Sequence, residues 1–478
     1  MRKPKHINVL LTVLIFFPQL GHAASGDEIN STPADQKEIS ISIYNNNLAL
    51  IKETRRIKLA RESNLLAWRG VSAQMRPETA QLRSLNSATG LRLLEQHFDF
   101  DLLSPERLLE KYLGKEVFII RTHPTTGIET REAATVLSTQ GGVVLKFADR
   151  IETGVPGRLA FASVPDNLRD TPTLVMSLLN SHANEHHLEL TYLTGGLSWQ
   201  ADYVAELNAR DDRLDLNGWA TLTNQSGAAY PNAKLQLIAG DVNVVSSPQA
   251  PQRGDIAMVK MAEVAQMRTE PAFEYHVYTL PRTITLAENQ TKQVALMSAA
   301  NVPVNKEYVL QGASHYYSGP YPEIGQKIKV RVFIELQNKG EGLGDPLPKG
   351  VIRVYKKDAQ GNAQFVGEDR MDHTPKNETI RLKLGDAFDI TADKKQTDFQ
   401  KLATVGRNTT IETAYQIVLN NAKKEAVTVI VREPIPGDWT MVSESTLHRK
   451  AASNVAEWKV RIPAEGSATL NYRVRVKY

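Results

Sequence analysis

Hydrophobic and polar residues alternate with a period of two along most of the chain after residue 36. In EISISIYNNNLALIKETRRIKL, residues 38–59, three isoleucines occupy alternate positions before three asparagines at 45–47. Asparagine tolerates the positive φ of a tight turn, so this stretch predicts a β-hairpin. Residues 468–476 are equally regular, with apolar residues at every even position. Such alternation predicts strands that bury one face and expose the other.

One segment departs from this period and predicts a helix. Ser104 is a suitable N-cap, Pro105 fits the first helical position, and Gly114 closes the end. The helix has about three turns by this interpretation, at ~3.6 residues per turn. Short strand-like runs separated by turns follow it, so residues 101–165 are expected to form a helix packed on a small β-barrel.

The pattern as a whole predicts an all-β protein of several small domains. At 478 residues the chain is too long for a single core. The expected organisation is an N-terminal β domain at 24–100, the helix-plus-barrel insert at 101–165, a β-sandwich at 166–300 and a C-terminal immunoglobulin-like sandwich at 301–478. Residues 245–272 are turn-rich and then Met- and Ala-rich, and we interpret them as a flexible insert.

The first 23 residues have the pattern of a secretory signal peptide. A basic start is followed by an apolar run from Ile7 to Leu20, and small residues precede a cleavage point after Ala23. The apolar run is shorter than the ~20 residues that a membrane-spanning helix needs. We therefore expect an exported protein, periplasmic or extracellular, with no transmembrane helix after cleavage.

Charge and cysteine content narrow the possible partners. The leader carries three of the 57 basic residues, which leaves 54 against 53 acidic residues and a net charge of +1. Such a balance gives no electrostatic reason to expect nucleic acid as a partner. The chain has no cysteine, so it has neither disulfides nor a thiolate nucleophile. No cofactor and no metal site are expected.

Several long stretches resemble the bacterial family called domain of unknown function 4139, some members of which are related to mucoidy-inhibitor proteins. The resemblance implies a β-rich envelope protein and supplies no catalytic residue. The stretches that carry it are YLTGGLSWQADYVAELN (192–208), LNGWATLTNQSGAAYPNAKLQLIAGDVN (216–243), YTLPRTITLAENQTKQVAL (278–296), LGDAFDI (384–390) and AYQIVLNNAKKEAVTVIVREPIPGDW (414–439).

Eight residues within these stretches are candidate site positions of unknown role. Read as a strand, 197–207 places Trp199 and Tyr203 on its core face and Asp202 on the other face. Asp202 and Glu206 stand roughly 13 Å apart along that strand, too far for a glycosidase pair within it. The candidate positions are Gly195, Gly196, Trp199, Asp202, Tyr203, Trp219, Gly240 and Asp241.

These residues leave three functions open. The first is a binding or scaffolding role in the cell envelope, with an envelope protein or a polysaccharide as partner. The second is a hydrolase of envelope polysaccharide or peptide that uses Asp202, Asp241 and Trp219. The third is an outer-membrane β-barrel, because the ending LNYRVRVKY alternates and closes on an aromatic residue. The first is favoured, since no acid–base or metal constellation fits its predicted strand context.

Overall fold

The computed structural model describes residues 28–86, 90–165, 168–240, 268–272, 275–321, 324–358, 360–405 and 408–478. The predicted signal peptide and Asp241 therefore lie outside the described residues. So does most of the predicted flexible insert. Its last five residues, Arg268–Ala272, form a strand.

Strands dominate the described chain, so the all-β prediction is confirmed. The strands of the N-terminal part are β1 Ile29–Ser31, β2 Gln36–Tyr44, β3 Leu48–Leu59, β4 Glu62–Arg69, β5 Gln81–Ser84, β6 Leu91–Asp99, β7 Glu116–Thr122, β8 Glu129–Ser138, β9 Val144–Lys146, β10 Ile151–Thr153 and β11 Arg158–Ala160. The middle strands are β12 Thr173–Asn180, β13 Asn184–Thr194, β14 Leu197–Leu207, β15 Arg213–Asn224, β16 Tyr230–Ala239, β17 Arg268–Ala272, β18 Tyr275–Thr279, β19 Ile284–Leu286 and β20 Gln290–Gln311.

The C-terminal third continues in the same way. Its strands are β21 Gly325–Gln337, β22 Gly350–Lys357, β23 Ala363–Met371, β24 Thr379–Val405, β25 Asn408–Asn421, β26 Val427–Pro434, β27 Asp438–Glu444, β28 Arg449–Ala452, β29 Val455–Ile462 and β30 Gly466–Lys477. The helices are α1 Pro105–Lys111 and three short 3₁₀ turns, Pro33–Asp35, Pro77–Thr79 and Ser314–Tyr317.

The chain divides into two compact units. The first unit contains the described residues up to Lys37, Thr54–Val71 and Leu82–Glu189, and the second unit contains Glu38–Glu53, Ser72–Gln81 and Leu190–Tyr478. The domain boundaries expected from the sequence stay predictions.

The first unit contains a four-stranded sheet and a five-stranded sheet. The four-stranded sheet has the order β1-β4-β12-β6, and the five-stranded sheet has the order β10-β9-β8-β7-β11. Helix α1 belongs to the same segment as the five-stranded sheet. Leu109 of α1 and Tyr112, directly after the helix, pack with Val117, Ile119 and other buried residues of that segment.

The predicted helix is confirmed, although it is shorter than expected. The Ser104 hydroxyl accepts a hydrogen bond from the Arg107 amide, as an N-cap side chain does. Helical geometry ends at Lys111, after about two turns. Gly114 then takes a φ of +75°, three residues beyond the helix.

The predicted hairpin at the start of the second unit is confirmed. β2 and β3 are neighbours in their sheet, and residues 45–47 form the turn between them. Asn47 has a φ of 50°, in the left-handed region that asparagine tolerates. On its other side β2 runs parallel to β16, which also pairs with β18 and β19.

The largest sheet lies entirely in the second unit. Its main path is β23-β22-β14-β15-β20-β21-β24-β25-β30-β27, and β26, β28 and β29 branch from it through β20. β14 pairs antiparallel with β15 and parallel with β22. This arrangement places residues 197–207 between a strand that follows them closely and a strand about 150 residues later in the chain.

The C-terminal core lies among the strands after residue 308. Its buried residues come from β24, β25 and β30 and also from the branch strands β26 and β29. The rings of Trp458 and Tyr472 are 4.7 Å apart at their centroids. Among the described residues, no helix is both long enough and apolar enough to cross a membrane.

Candidate functional site

The two glycines ahead of β14 form a tight connection between β13 and β14. Gly196 has a φ of +77°, and a Cβ there would come within 2.5 Å of the Ser226 Cα atom. Its amide donates to the Asn47 side-chain oxygen at 2.9 Å, and its carbonyl accepts from the Gln225 amide. A Cβ on Gly195 would come within 2.9 Å of the Gln74 side chain. Close packing therefore accounts for both glycines.

The core face of β14 is as expected from the alternation. Trp199 is 3% exposed, and its indole N–H donates to the Ile238 carbonyl at 3.3 Å. Tyr203 is fully buried and donates its hydroxyl proton to the Pro348 carbonyl at 2.8 Å. Burial, with a smaller contribution from Tyr278, raises the pKa of Tyr203 well above 10. Neither side chain is available to a ligand as an acid or a base.

Asp202 lies on the opposite face of β14 and is held by two strong partners. Its Oδ1 accepts from Arg353 Nη1 at 3.0 Å, and its Oδ2 accepts from the Thr221 hydroxyl at 2.6 Å. Arg353 also contacts Glu368, with 3.2 Å between Nε and Oε2. Asp202 is only 7% exposed. The carboxylate is therefore an ion-paired structural group rather than a free acid or base.

Trp219 lies directly across the β14–β15 ladder from Asp202. All five tryptophans of the chain lie within the described residues, and Trp219 is the one that is not buried. Its indole makes no hydrogen bond or aromatic contact with another described side chain. The indole is partly exposed on this face of the sheet.

The other two candidate positions give less information. Gly240 ends β16 with a φ of +135°, and a Cβ there would come within 2.5 Å of the Tyr275 ring. Close packing against Tyr275 accounts for this glycine. Asp241, proposed as a catalytic carboxylate, lies outside the described residues.

A polar cleft of about 750 Å³ opens beside Asp202 on the same face of the sheet. Polar side chains of the neighbouring strands β14 and β15 line one wall of the cleft. Ser198 pairs with Thr223, and Gln200 pairs with Thr221, across β14 and β15. The six hydroxyl or amide side chains of this wall are Ser198, Gln200, Thr221, Thr223, Gln225 and Thr291.

The far side of the polar cleft carries charge. It is lined by Asn45 and Asn46 of the hairpin turn, by Lys349 just before β22, by Arg370 on β23 and by Asp372 just after β23. Two basic residues and one acidic residue leave only a small net positive charge. The cleft therefore offers mainly neutral hydrogen-bonding groups and little net charge, beside apolar contacts from Trp199, Val351 and Met371.

Sequence reasoning found Asp202 and Trp219 but missed their surroundings. Arg353 is 151 residues from Asp202 in sequence, and the parallel pairing of β14 with β22 brings it there. Nothing near either residue indicates that pairing. The threonines and glutamines of the cleft carried no signal either, because polar residues are ordinary on the exposed face of a strand.

The residues proposed for hydrolysis are only partly brought together. Asp202 and Trp219 are cross-strand neighbours, but the carboxylate of Asp202 is committed to Arg353 and Thr221. Within the described ranges there is no group of three His, Asp or Glu side chains placed to hold a metal ion.

Fold and site together define an all-β protein with a polar, hydroxyl-lined cleft on an open sheet face. Residues 188–478 match the model of the domain of unknown function DUF4139, so the chain belongs to this family. The match begins within β13, runs to residue 478, and includes the candidate positions and all residues that line the cleft except Asn45 and Asn46. No curated protein matches the chain.

Proposed function

We propose that the protein is an exported cell-envelope protein that binds envelope polysaccharide through the polar cleft and Trp219. The observation that carries this proposal is the composition of the cleft. Six neutral hydroxyl or amide side chains form one wall. Thr221 is bonded to Asp202, and the other five can pair with the hydroxyl groups of a polysaccharide.

Trp219 does not line the cleft but lies near it on the same face of the sheet. It lies two residues from Thr221 on β15 and on the same face, roughly 7 Å further along the strand. A sugar ring has an apolar C–H face that packs on an aromatic ring, while its hydroxyls bond to polar side chains. A chain of sugars lying along β15 therefore meets hydroxyls and amides first and an indole next.

Tryptophan fluorescence tests this proposal directly. Trp219 is the one tryptophan that an aqueous quencher such as acrylamide reaches readily, because the other four are buried. A neutral polysaccharide fraction from the envelope of the producing bacterium is expected to protect this fluorescence from acrylamide. In Trp219→Phe, the quenchable component and its protection are both expected to disappear, with an unchanged far-UV spectrum.

Two results would contradict the proposal. One is unchanged quenching at every concentration of every envelope polysaccharide fraction, neutral and acidic. The other is undiminished polysaccharide binding by Thr223→Val and Trp219→Ala together. Retention of an envelope protein in place of polysaccharide, in cells treated with a crosslinker, would favour scaffolding instead.

We also propose the finer architecture expected from the sequence. An immunoglobulin-like sandwich at the C-terminus is supported by a core shared between the β24-β25-β30 strands and the β26-β29 branch. A small barrel at 101–165 is supported by five consecutively arranged short strands that share a core with α1. Pairing between the edge strands β10 and β11 in solution would complete that barrel.

A further inference from the structure

A lysine and a glutamate form a buried pair in the C-terminal core. Lys394 on β24 places its Nζ 2.6 Å from Oε1 of Glu433 on β26. The Lys394 side chain is 2% exposed and the Glu433 side chain 0%. Burying two opposite charges costs free energy even when they are paired, so a pair this deeply buried calls for an explanation.

Tyrosines enclose the pair. The Lys394 Nζ atom is 4.8 Å from the ring centre of Tyr316 and 4.9 Å from that of Tyr415. The Tyr317 hydroxyl donates to Glu433 Oε2 at 2.9 Å and lies 2.9 Å from the Tyr472 hydroxyl. One carboxyl oxygen thus faces an amine, and the other faces a hydrogen-bond donor.

Backbone packing fixes the carboxyl group from the remaining side. A Cβ on Gly312 would come within 2.1 Å of Glu433 Oε2 and 2.4 Å of its Cδ. The carboxyl group therefore packs directly against the Gly312 backbone, which restricts its movement. Such fixed contact between two reacting groups greatly raises their effective concentration.

The surroundings favour the nucleophilic form of the lysine. Burial lowers the pKa of Lys394, although Glu433 opposes this effect. Moving a proton from the ammonium group to the carboxylate removes both charges from the core. The result is a neutral amine in contact with a neutral carboxylic acid, the pair from which an amide forms.

We propose that Lys394 and Glu433 are joined by an amide bond between Nζ and Cδ in the mature protein. The Nζ lone pair attacks Cδ, and the C–N bond forms as the C–OH bond breaks. The leaving hydroxyl takes one amine proton and departs as water, so no oxidant or co-reactant is needed. Tyr317 stabilises the oxygen that becomes negative during the attack.

The amide suits both the site and the composition of the chain. It replaces two buried charges with one neutral group, which removes their desolvation cost. It also closes a loop across 39 residues between β24 and a strand of the β26-β29 branch. The chain has no cysteine, so a disulfide cannot crosslink this domain in an exported protein.

Peptide mass spectrometry of the full-length protein, denatured and digested with trypsin, tests the proposal. An acylated lysine resists trypsin, so Lys394 is expected to stay uncleaved. Residues 384–395 are expected to appear joined to residues 433–449, in one species lighter than the two peptides by one water. Full recovery of separate, unmodified 384–394 and 433–449 would overturn the proposal.

Two variants complete the test. Lys394→Arg keeps a cation but cannot form this amide, so the joined species is expected to vanish. Its persistence in that variant would contradict the assignment to Lys394. Tyr317→Phe keeps the ring and removes the donor to Glu433, and a lower joined fraction is expected shortly after synthesis. The wild-type result decides the proposal even if either variant folds poorly.

Discussion

At the scale of single residues, the most informative side chain is Asp202. Its alternation pattern correctly placed it away from the core face, and its distance from Glu206 along the strand already argued against a catalytic pair there. The structure also shows why the Asp202 carboxylate can be buried. Arg353 and Thr221 satisfy both of its oxygens.

Asp202→Asn is therefore expected to lower the free energy of unfolding. The amide keeps an acceptor for Thr221 but loses the charge opposite Arg353, and a charge-assisted hydrogen bond contributes about 1.5 to 3 kcal/mol. Urea unfolding of the wild type and the variant measures the difference.

Glu206→Gln is the matched control on the same strand. Glu206 pairs with Lys357 where both side chains are well exposed, so no measurable change in stability is expected. Equal stability of all three proteins would show that the Asp202 contacts are not structural. If the wild type had a hydrolytic activity that Asp202→Asn lost without losing stability, the result would support the hydrolase hypothesis.

Buried tyrosines predict instability at alkaline pH. Burial raises the pKa of Tyr203, Tyr317 and Tyr472 well above the value of 10.0 for an unperturbed phenol. The folded state thus binds protons more tightly than the unfolded state. This stability is fully present below pH 10 and is lost as the pH rises above it.

Phenolate absorbance measured alongside circular dichroism during an alkaline titration checks this prediction. Part of the phenolate signal is expected to appear only when the sheet signal is lost. Complete tyrosine ionisation near pH 10 with the fold intact would be inconsistent with these burials.

At the level of elements, the turn at Gly195–Gly196 connects strands of two different sheets, β13 and β14, and the sequence predicted it. The two glycines predict the turn. The period-two alternation predicts the strand that follows and the two faces of that strand. The helix ended about one turn early. The parallel partner β22 could not be foreseen, since pairing between distant strands depends on tertiary packing and not on local alternation.

Gly196→Ala is expected to destabilise the second unit by more than the conformational cost alone. The left-handed backbone costs alanine roughly 1–2 kcal/mol, and the clash with the Ser226 backbone adds to that. Urea unfolding curves measure the loss.

Gly361→Ala separates the two contributions. Gly361 also has a positive φ, +84°, but a Cβ there would meet nothing within 4 Å. Its variant is expected to lose only the conformational part. If both variants lost the same stability, the close approach at Gly196 would not matter.

At the scale of the whole molecule, the signal-peptide prediction has a direct consequence. The mature protein is expected to begin at Ala24, because small residues precede that position. Intact mass and N-terminal peptide analysis of protein from the envelope fraction check this. Ala23→Asp is expected to block cleavage. Recovery of the wild-type protein with residues 1–23 still attached would contradict the prediction.

The polar cleft could not be predicted from the sequence. Its lining comes from a hairpin turn near residue 45, from β14 and β15, and from residues 349–372. Each piece looks like an ordinary polar strand face or loop by itself. Only the sheet order of the second unit brings them to one place, whereas the class of fold was evident from alternation alone.

The proposed function is polysaccharide binding by the polar cleft together with Trp219. Titration calorimetry with a neutral envelope polysaccharide, comparing wild type, Trp219→Ala and Phe388→Ala, tests it most directly. Phe388 is an 88% exposed aromatic residue on β24 that does not line the cleft. Trp219→Ala is expected to weaken binding about tenfold, a loss of about 1.4 kcal/mol, while Phe388→Ala leaves it unchanged. Equal affinities for all three proteins, or no heat of binding for the wild type, would contradict it.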